Sequence, residues 1–450
     1  MTHLLVHAQH VGLRGSVRVP SDKSIGHRAL LLSAIAAGPS RIRGFSRGED
    51  NLSTLAALRA LGVQVDEVAK DELQVHGVSL RGLKAPSASL DCGNSGTTMR
   101  LLLGLLAAQP FTTTLVGDAS LSGRPMMRVV GPLRARGARL DGVAHPTRTA
   151  DLTAPITIGA LPEGVRLGPL EYESPISSAQ VKSAILLSGL DASGPTLFRE
   201  PIVSRDHTER MLRAMGAPLT TMASAVALDP AAWDGRLVPL DLAIPGDLSA
   251  AAFLLVAAQI TPESNVTVRD VGLNPTRIGI LEIARDMGAG LAIEPSEERG
   301  GEPVGTVHGF HAPLVATRTG GERVARAIDE IPIVCALAAR ADGTTRIEGA
   351  AELRVKESDR IAMMCKTLRA FGIVCDEIDD GLVIAGSQDR LRAARVGSGG
   401  DHRVAMTAAV LALAADGTSR IDDVACIATS FPKFVGTLRA LGARIEVVEG

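Results

Sequence analysis

Apolar residues recur at helical spacing and then give way to strand-like alternation six times along the chain, each time across a glycine. The segments are Leu58–Gly62, Leu133–Gly137, Leu212–Gly216, Ile283–Gly288, Leu368–Gly372 and Leu438–Gly442, and their glycines lie 75, 79, 72, 84 and 70 residues apart. At each, a helix is predicted to stop at the glycine and to pass into a strand, such as 63–66 or 443–447. A more apolar helix precedes each of these. The predicted runs are 29–37, 101–108, 181–190, 250–258, 331–339 and 404–415, and they open near Ser24, Asn94, Ser178, Asp247, Asp329 and Asp401. One period therefore reads strand-helix-strand-helix-strand-strand, and six periods make an α/β chain of two domains with three repeats each.

The halfway point falls near 239–245. That sets one lobe at 21–245 (repeats 1–3) and a second at 246–450 (repeats 4–6). The first strand, around 15–19, could pair with either half, and residues 1–20 are assigned to the second lobe. If the helices run parallel within a domain, three of their N-termini face one way. Each such end leaves unpaired N–H groups whose dipoles favour an anion. The starts near Ser24, Asn94 and Ser178 carry neutral groups that leave room for one. Asp247, Asp329 and Asp401 either cap their helices or do acid–base work.

Composition narrows the partners. Across 450 residues, Lys plus Arg is 47 against 49 for Asp plus Glu, for a net charge of −2, and aromatics are 2%. That balance argues against nucleic acid and membrane surfaces. Apolar runs such as 251–258 and 404–415 are too short to span a bilayer, and the first residues lack a secretory pattern. Cys92, Cys335, Cys365, Cys375 and Cys426 form no C-x-x-C pair, and reduced thiols in a cytoplasmic protein are expected.

Cations gather near the helix starts. Lys23 and Arg28 flank the first, which makes it a candidate phosphate or carboxylate cradle. Arg124 and Arg128 follow the second, Arg205 and Arg210 the third, Arg354, Lys356 and Arg360 lie in the fifth repeat, and Arg403 opens the sixth. Guanidinium groups hold carboxylates and phosphates in bidentate fashion. Alone, the run 354–360 would read equally as a solvated face.

Together these stretches resemble the 5-enolpyruvylshikimate-3-phosphate synthase family over essentially the whole chain. The resemblance is carried by Asp22-Lys23-Ser24-x-x-x-Arg28, Gly93–Arg100, Gly117–Leu121 with Arg124-Pro125-Met126, and Ser178-Ala179-Gln180-Val181-Lys182. It continues through Arg205–Glu209, Asn274–Arg277, Arg354–Arg360 and Asp401-His402-Arg403. Several of these forms lean toward the class II branch. The resemblance implies an inside-out α/β barrel of two similar domains closing over substrate. It implies transfer of the enolpyruvyl group of phosphoenolpyruvate to the 5-hydroxyl of shikimate 3-phosphate, with release of phosphate, and no metal or other cofactor. A monomer is expected.

Carried over residue by residue, Lys23 stands between both substrates. Ser24, Arg28, Ser178, Ala179 (through its N–H), Gln180, Arg205, Asp329 and Lys356 fall to shikimate 3-phosphate. Asn94, Gly96, Arg124, Gln180, Arg360 and Arg403 fall to phosphoenolpyruvate. Asp329 is the expected base at the 5-hydroxyl and Glu357 the proton shuttle at the methylene, with Lys23 and His402 as alternative carriers. Lys356 beside Glu357 is expected to favour the ionised carboxylate. One position departs from the family pattern: Thr429 stands where many members have Lys, and Lys433 lies four residues on. Gly96 is unsubstituted at a position where Ala accompanies glyphosate insensitivity in some relatives, so glyphosate is expected to enter as an inhibitor.

Two enzyme families compete. The enolpyruvyl transferases acting on UDP-N-acetylglucosamine carry Lys-Asn at the first start and a loop Cys, whereas this chain has Lys23-Ser24 and no Cys between Cys92 and Cys335. RNA 3′-phosphate cyclases are disfavoured by the charge balance. A non-catalytic scaffold would not need both Asp329 and Glu357 among so many anion clamps.

Overall fold

A computed structural model describes residues 2–148 and 150–449, so the outermost bounds of the expected second lobe, Met1 and Gly450, lie outside the described residues. All six repeat glycines occupy the left-handed region, with φ of 84° at Gly62, 102° at Gly137, 86° at Gly216, 78° at Gly288, 88° at Gly372 and 98° at Gly442. In each case the glycine N–H bonds to the carbonyl three residues back. The next N–H bonds five back, as from Val63 to Leu58 and from Ala443 to Leu438. These paired bonds close the last helical turn and aim the chain into a strand. The arginine three before the glycine often spans the same turn. Arg59, Arg134, Arg369 and Arg439 donate to the carbonyls of Val65, Leu140, Cys375 and Ile445 at 2.6–3.0 Å.

The chain divides into two compact units. One holds the chain up to Pro20, Pro245–Glu297 and the residues from Pro303 on; the other holds Ser21–Ile244 with Glu298–Glu302. The Ser21–Ile244 unit has sheets built on Pro39–Arg43, Thr113–Val116 and Thr196–Arg199, each with one parallel neighbour and an antiparallel pair beyond it. The other unit repeats the pattern on Asn265–Gly272, Thr344–Ile347 and Ser419–Asp422. The first long strand, Arg14–Arg18, pairs in parallel with Asn265–Gly272, and His3–Val6 lies between Ser419–Asp422 and Ile445–Val448.

Helices fill each unit's core. Every residue of Leu248–Ile260 and of Ile331–Ala339 is buried, and both pack on His402–Leu413. In the other unit Gly96–Leu106 lies against Ala179–Gly189 at a separation only glycine allows. A Cβ at Gly104 would stand 2.3 Å from the Ala184 carbonyl oxygen. No helix among the described residues is long and apolar enough to cross a membrane.

The expectation of five reduced thiols needs correcting. Cys365 and Cys375 form a disulfide, with Cα atoms 5.3 Å apart, that joins the Arg360–Ala370 helix to the Val374–Ile378 strand. The turn at Gly372 folds residues ten apart in sequence into disulfide range, which residue spacing alone did not reveal. Cys92, Cys335 and Cys426 are free.

Candidate active site

In the Ser21–Ile244 unit the helix starts fall close to, but not at, the expected residues. Asp22 caps Lys23–Ala34 by accepting from the Ile25 N–H at 2.9 Å, and Ser95 caps Gly96–Leu106 by accepting from the Thr98 N–H at 3.1 Å. The first start is therefore acidic rather than neutral. Ser178 caps Ala179–Gly189 as read from the sequence.

These starts are tied to one another by polar side chains. Gln180 donates to Thr97 Oγ1 (2.9 Å) and accepts from Arg100 (2.6 Å). Arg124 donates to Asn94 Oδ1 (2.5 Å) and Ser120 Oγ (3.3 Å), while Asn94 donates to Asp118. Gly96 sits beneath two guanidinium groups. A Cβ there would lie 2.9 Å from Arg100 and 3.3 Å from Arg124. Lys23 pairs with Asp50 at 2.7 Å. Burial pushes the Asp50 carboxyl up, but the Lys23 ammonium outweighs it and holds the group below the ordinary Asp range.

Arg28 is more enclosed than a surface clamp. It is 3% exposed and donates to Ser24 O, Thr208 Oγ1 and Ser183 Oγ, and burial lowers its pKa to about 10. Arg205 lies in the loop before His207–Ala214, near enough for its charge to act on Arg28. His27 is wholly buried against Thr54, and burial lowers its pKa to about 3.

In the other unit three helix starts meet around carboxylates. Asp401 caps His402–Leu413 through the N–H groups of Arg403 and Val404. Its second oxygen accepts from Arg360 Nε at 2.8 Å. Arg360 is 1% exposed; one terminal nitrogen donates to Glu357 (2.7 Å), and the other stands 3.7 Å from Asp329 without a hydrogen bond. Lys356 stands 3.8 Å from Asp329 and 2.8 Å from Glu352. Arg403 donates to the Asp329 carbonyl at 2.6 Å and lies 3.6 Å from Glu330. Behind these, Arg277 joins Asp247, Ser249 and Glu330.

The expected link between Lys356 and Glu357 is replaced. Lys356 turns toward Glu352 and Asp329, and Glu357, in the bend before the Arg360–Ala370 helix, takes Arg360 at the start of that helix. Desolvation, the largest influence, pushes the Glu357 carboxyl up, but the Arg360 charge, followed by His402, brings the balance below the ordinary range. His402 is 7% exposed, and burial followed by the Arg403 charge lowers its pKa to about 3, so near neutral pH it is uncharged.

Thr429 closes a short 3₁₀ turn, and Lys433 is exposed at the start of Phe434–Ala440. Sequence reasoning missed Arg100, Asp50 and Glu330 as site neighbours. Arg100 was discoverable, since it lies four residues after Gly96 on one helix. Glu330 was not, because its partners come from distant repeats.

A family model described as EPSP synthase (3-phosphoshikimate 1-carboxyvinyltransferase) matches residues 8–438. A Geobacter sp. (strain M21) protein named 3-phosphoshikimate 1-carboxyvinyltransferase is 48% identical over 426 residues, covering 95% of this chain and 96% of its own length. A Methylococcus capsulatus protein of the same name is 47% identical over 97% of this chain and 96% of its own. Among solved structures, an EPSP synthase from Acinetobacter baumannii aligns with a TM-score of 0.90 and 40% identity over the whole of both chains.

Proposed function

The chain belongs to the EPSP synthase family, and from that premise we propose how its residues divide the family's reaction among themselves. The reaction moves the enolpyruvyl group of phosphoenolpyruvate onto the 5-hydroxyl of shikimate 3-phosphate and releases phosphate, a step of aromatic amino acid biosynthesis. It needs clamps for two polyanions, a base at the hydroxyl and a proton source at the methylene.

In this reading Arg124, Arg360, Arg403, Gln180 and the 94–96 turn hold phosphoenolpyruvate. Ser24, Arg28, Ser178, Ala179, Gln180, Arg205 and Lys356 hold shikimate 3-phosphate, and Lys23 serves both. Asp329 takes the 5-hydroxyl proton. One buried guanidinium supports this most directly: Arg360 touches Asp401, Glu357 and Asp329 and keeps a terminal nitrogen without a hydrogen bond, ready for an incoming carboxylate. Glu357 is ionised while Arg360 is its partner. An anion that draws on Arg360 would raise the Glu357 pKa and let it carry a proton to and from the methylene. Lys23 and His402 are the alternative carriers; His402 is held neutral by burial and by the Arg403 charge, so an anion on Arg403 would act on it in the same direction.

The reading extends to an inside-out barrel of two lobes, 21–245 and 1–20 with 246–450, acting on one substrate pair, and to a cytoplasmic monomer open to glyphosate. It needs no metal or other cofactor. The deciding assay follows phosphate release from phosphoenolpyruvate. Release that depends on shikimate 3-phosphate and not on UDP-N-acetylglucosamine supports the reading, and the reverse overturns it. Lys23→Met is expected to raise KM for both substrates; a rise for only one would remove Lys23 from its shared place.

A further inference from the structure

Lys182 takes no part in the mechanism above, yet it is among the most enclosed charges in its unit. It lies on the Ala179–Gly189 helix, four residues past the Ser178 cap, with its side chain 3% exposed. Its ammonium has three donors and finds three acceptors: Glu200 Oε1 at 2.7 Å, Glu209 Oε1 at 2.8 Å and the Ser204 carbonyl at 3.1 Å. Both glutamates are as deeply buried, at 3% and 4%.

The third acceptor matters most. Glu200 Oε1 also accepts from the Ser204 N–H at 2.9 Å. Both main-chain polar groups of Ser204 are thus gripped by one buried ion cluster, the N–H by Glu200 and the carbonyl by Lys182. That carbonyl belongs to the peptide bond leading into Arg205. The loop is held upstream as well, since Ser177 Oγ accepts from the Ile202 N–H at 3.0 Å. Glu209 meanwhile anchors the helix that follows Arg205, next to Thr208, which receives Arg28 Nε at 2.7 Å. An ion cluster this buried adds little net stability over an apolar core of the same volume, so its retention calls for another reason. Fixing the direction in which a neighbouring arginine leaves the main chain is such a reason.

We propose that Lys182 is a positioning residue for substrate: with Glu200 and Glu209 it fixes the Ser204–Arg205 peptide and so aims the Arg205 guanidinium at shikimate 3-phosphate. This rests on the reading of Arg205 given above. An arginine side chain at 182 could not copy the arrangement, because a planar fork does not converge three acceptors on one nitrogen.

The test is steady-state kinetics with each substrate varied in turn, alongside thermal melting, for Lys182→Met, Lys182→Met/Glu209→Gln, Arg205→Ala and Lys182→Met/Arg205→Ala. Lys182→Met is expected to raise KM for shikimate 3-phosphate about tenfold or more and KM for phosphoenolpyruvate less than about threefold. Adding Glu209→Gln removes one of the two buried carboxylates that Lys182→Met strands, so the melting temperature recovers in part while KM for shikimate 3-phosphate stays high. On the Arg205→Ala background, Lys182→Met is expected to add almost nothing. Equal rises in both KM values, recovery of KM together with melting temperature, or full additivity with Arg205→Ala would each overturn the proposal. If Arg205→Ala itself leaves KM for shikimate 3-phosphate unchanged, the Arg205 assignment falls and takes this inference with it. If Arg205→Ala raises KM but the Lys182 variants do not, only the Lys182 link fails. Should Lys182→Met not fold, Glu200→Leu removes the oxygen that accepts from both Lys182 and the Ser204 N–H, leaves Lys182 paired with Glu209, and carries the same comparisons.

Discussion

At the start of the Gly96–Leu106 helix the guanidinium of Arg124 is held by an amide and a hydroxyl, whereas Arg360, beside the start of His402–Leu413, is held by carboxylates. The same cation type thus meets two kinds of partner in the two units. Neutral hydrogen-bond partners orient a positive charge with less cancellation than a bonded carboxylate, and a carboxylate that feels the Arg124 charge, Asp50, is already paired with Lys23. Carboxylate partners cancel it until an anion competes, and that competition changes their own proton affinity. On the reading proposed above, the Arg124 region serves binding and the Arg360 region couples binding with proton transfer.

Variants can break or sharpen this contrast. The largest effect is expected where protons move. Asp329→Ala or Glu357→Ala should lower kcat by roughly 10²–10⁴ with the far-ultraviolet spectrum unchanged. Near-normal turnover in both would dissolve the division of labour. Arg360→Ala should cost about 3–5 kcal/mol in denaturant titration, because it strands the buried Asp401 carboxylate. Arg124→Ala should leave stability within about 0.5 kcal/mol and instead raise KM for phosphoenolpyruvate. If the two arginines lose stability equally, the partner argument is wrong.

Acidification tests both units at once. His27 and His402 are buried and neutral, each with a pKa lowered from 6.5 to about 3. The unfolded chain binds these protons below pH 6.5 and the folded chain does not until about pH 3. Stability is therefore whole above 6.5 and declines as pH falls toward 3. His27→Gln should flatten that decline in melting temperature measured between pH 7 and 4. Smaller still are changes at the repeat ends. Gly62→Ala places a Cβ at φ 84° and should cost ~1–2 kcal/mol. Arg134→Ala loses one carbonyl bond and should cost about 1 kcal/mol, with kinetics untouched.

Those repeat ends were the most legible part of the chain, because a left-handed helix stop admits few residues other than glycine. Helix starts were less so. Asp22 and Ser95 do the capping where Ser24 and Asn94 were expected, since short polar runs offer several residues able to accept the same N–H groups. Side-chain partnerships beyond the local turn, within a repeat or across repeats, were not legible at all. Glu200 and Lys182 are 18 residues apart and Glu330 and Arg277 are 53 apart, distances at which spacing says nothing about contact. Glu357 shows the same limit at short range: its neighbour in sequence is Lys356, but the bend at 356–358 folds it back onto Arg360.

The glycine stops also explain where the chain tolerates growth. The interval from Gly288 to Gly372 is 84 residues and that from Gly372 to Gly442 is 70, yet both end in the same hydrogen-bonded turn. Much of the surplus sits in one ribbon, since strands of 10 and 9 residues follow Gly288 where two of 5 follow Gly372. Each helix stays pinned at its tail while the added length builds the ribbon, whose tip at Glu298–Glu302 belongs to the Ser21–Ile244 unit, with Glu302 buried 2.8 Å from His207. Growth at that tip is thus constrained. An insertion at 298–302 is expected to disturb the Glu302–His207 pair at the head of the helix that follows Arg205 and to raise KM for shikimate 3-phosphate. One at the Val374–Ile378 hairpin, which ends in solvent-exposed Asp379, is expected to leave turnover alone.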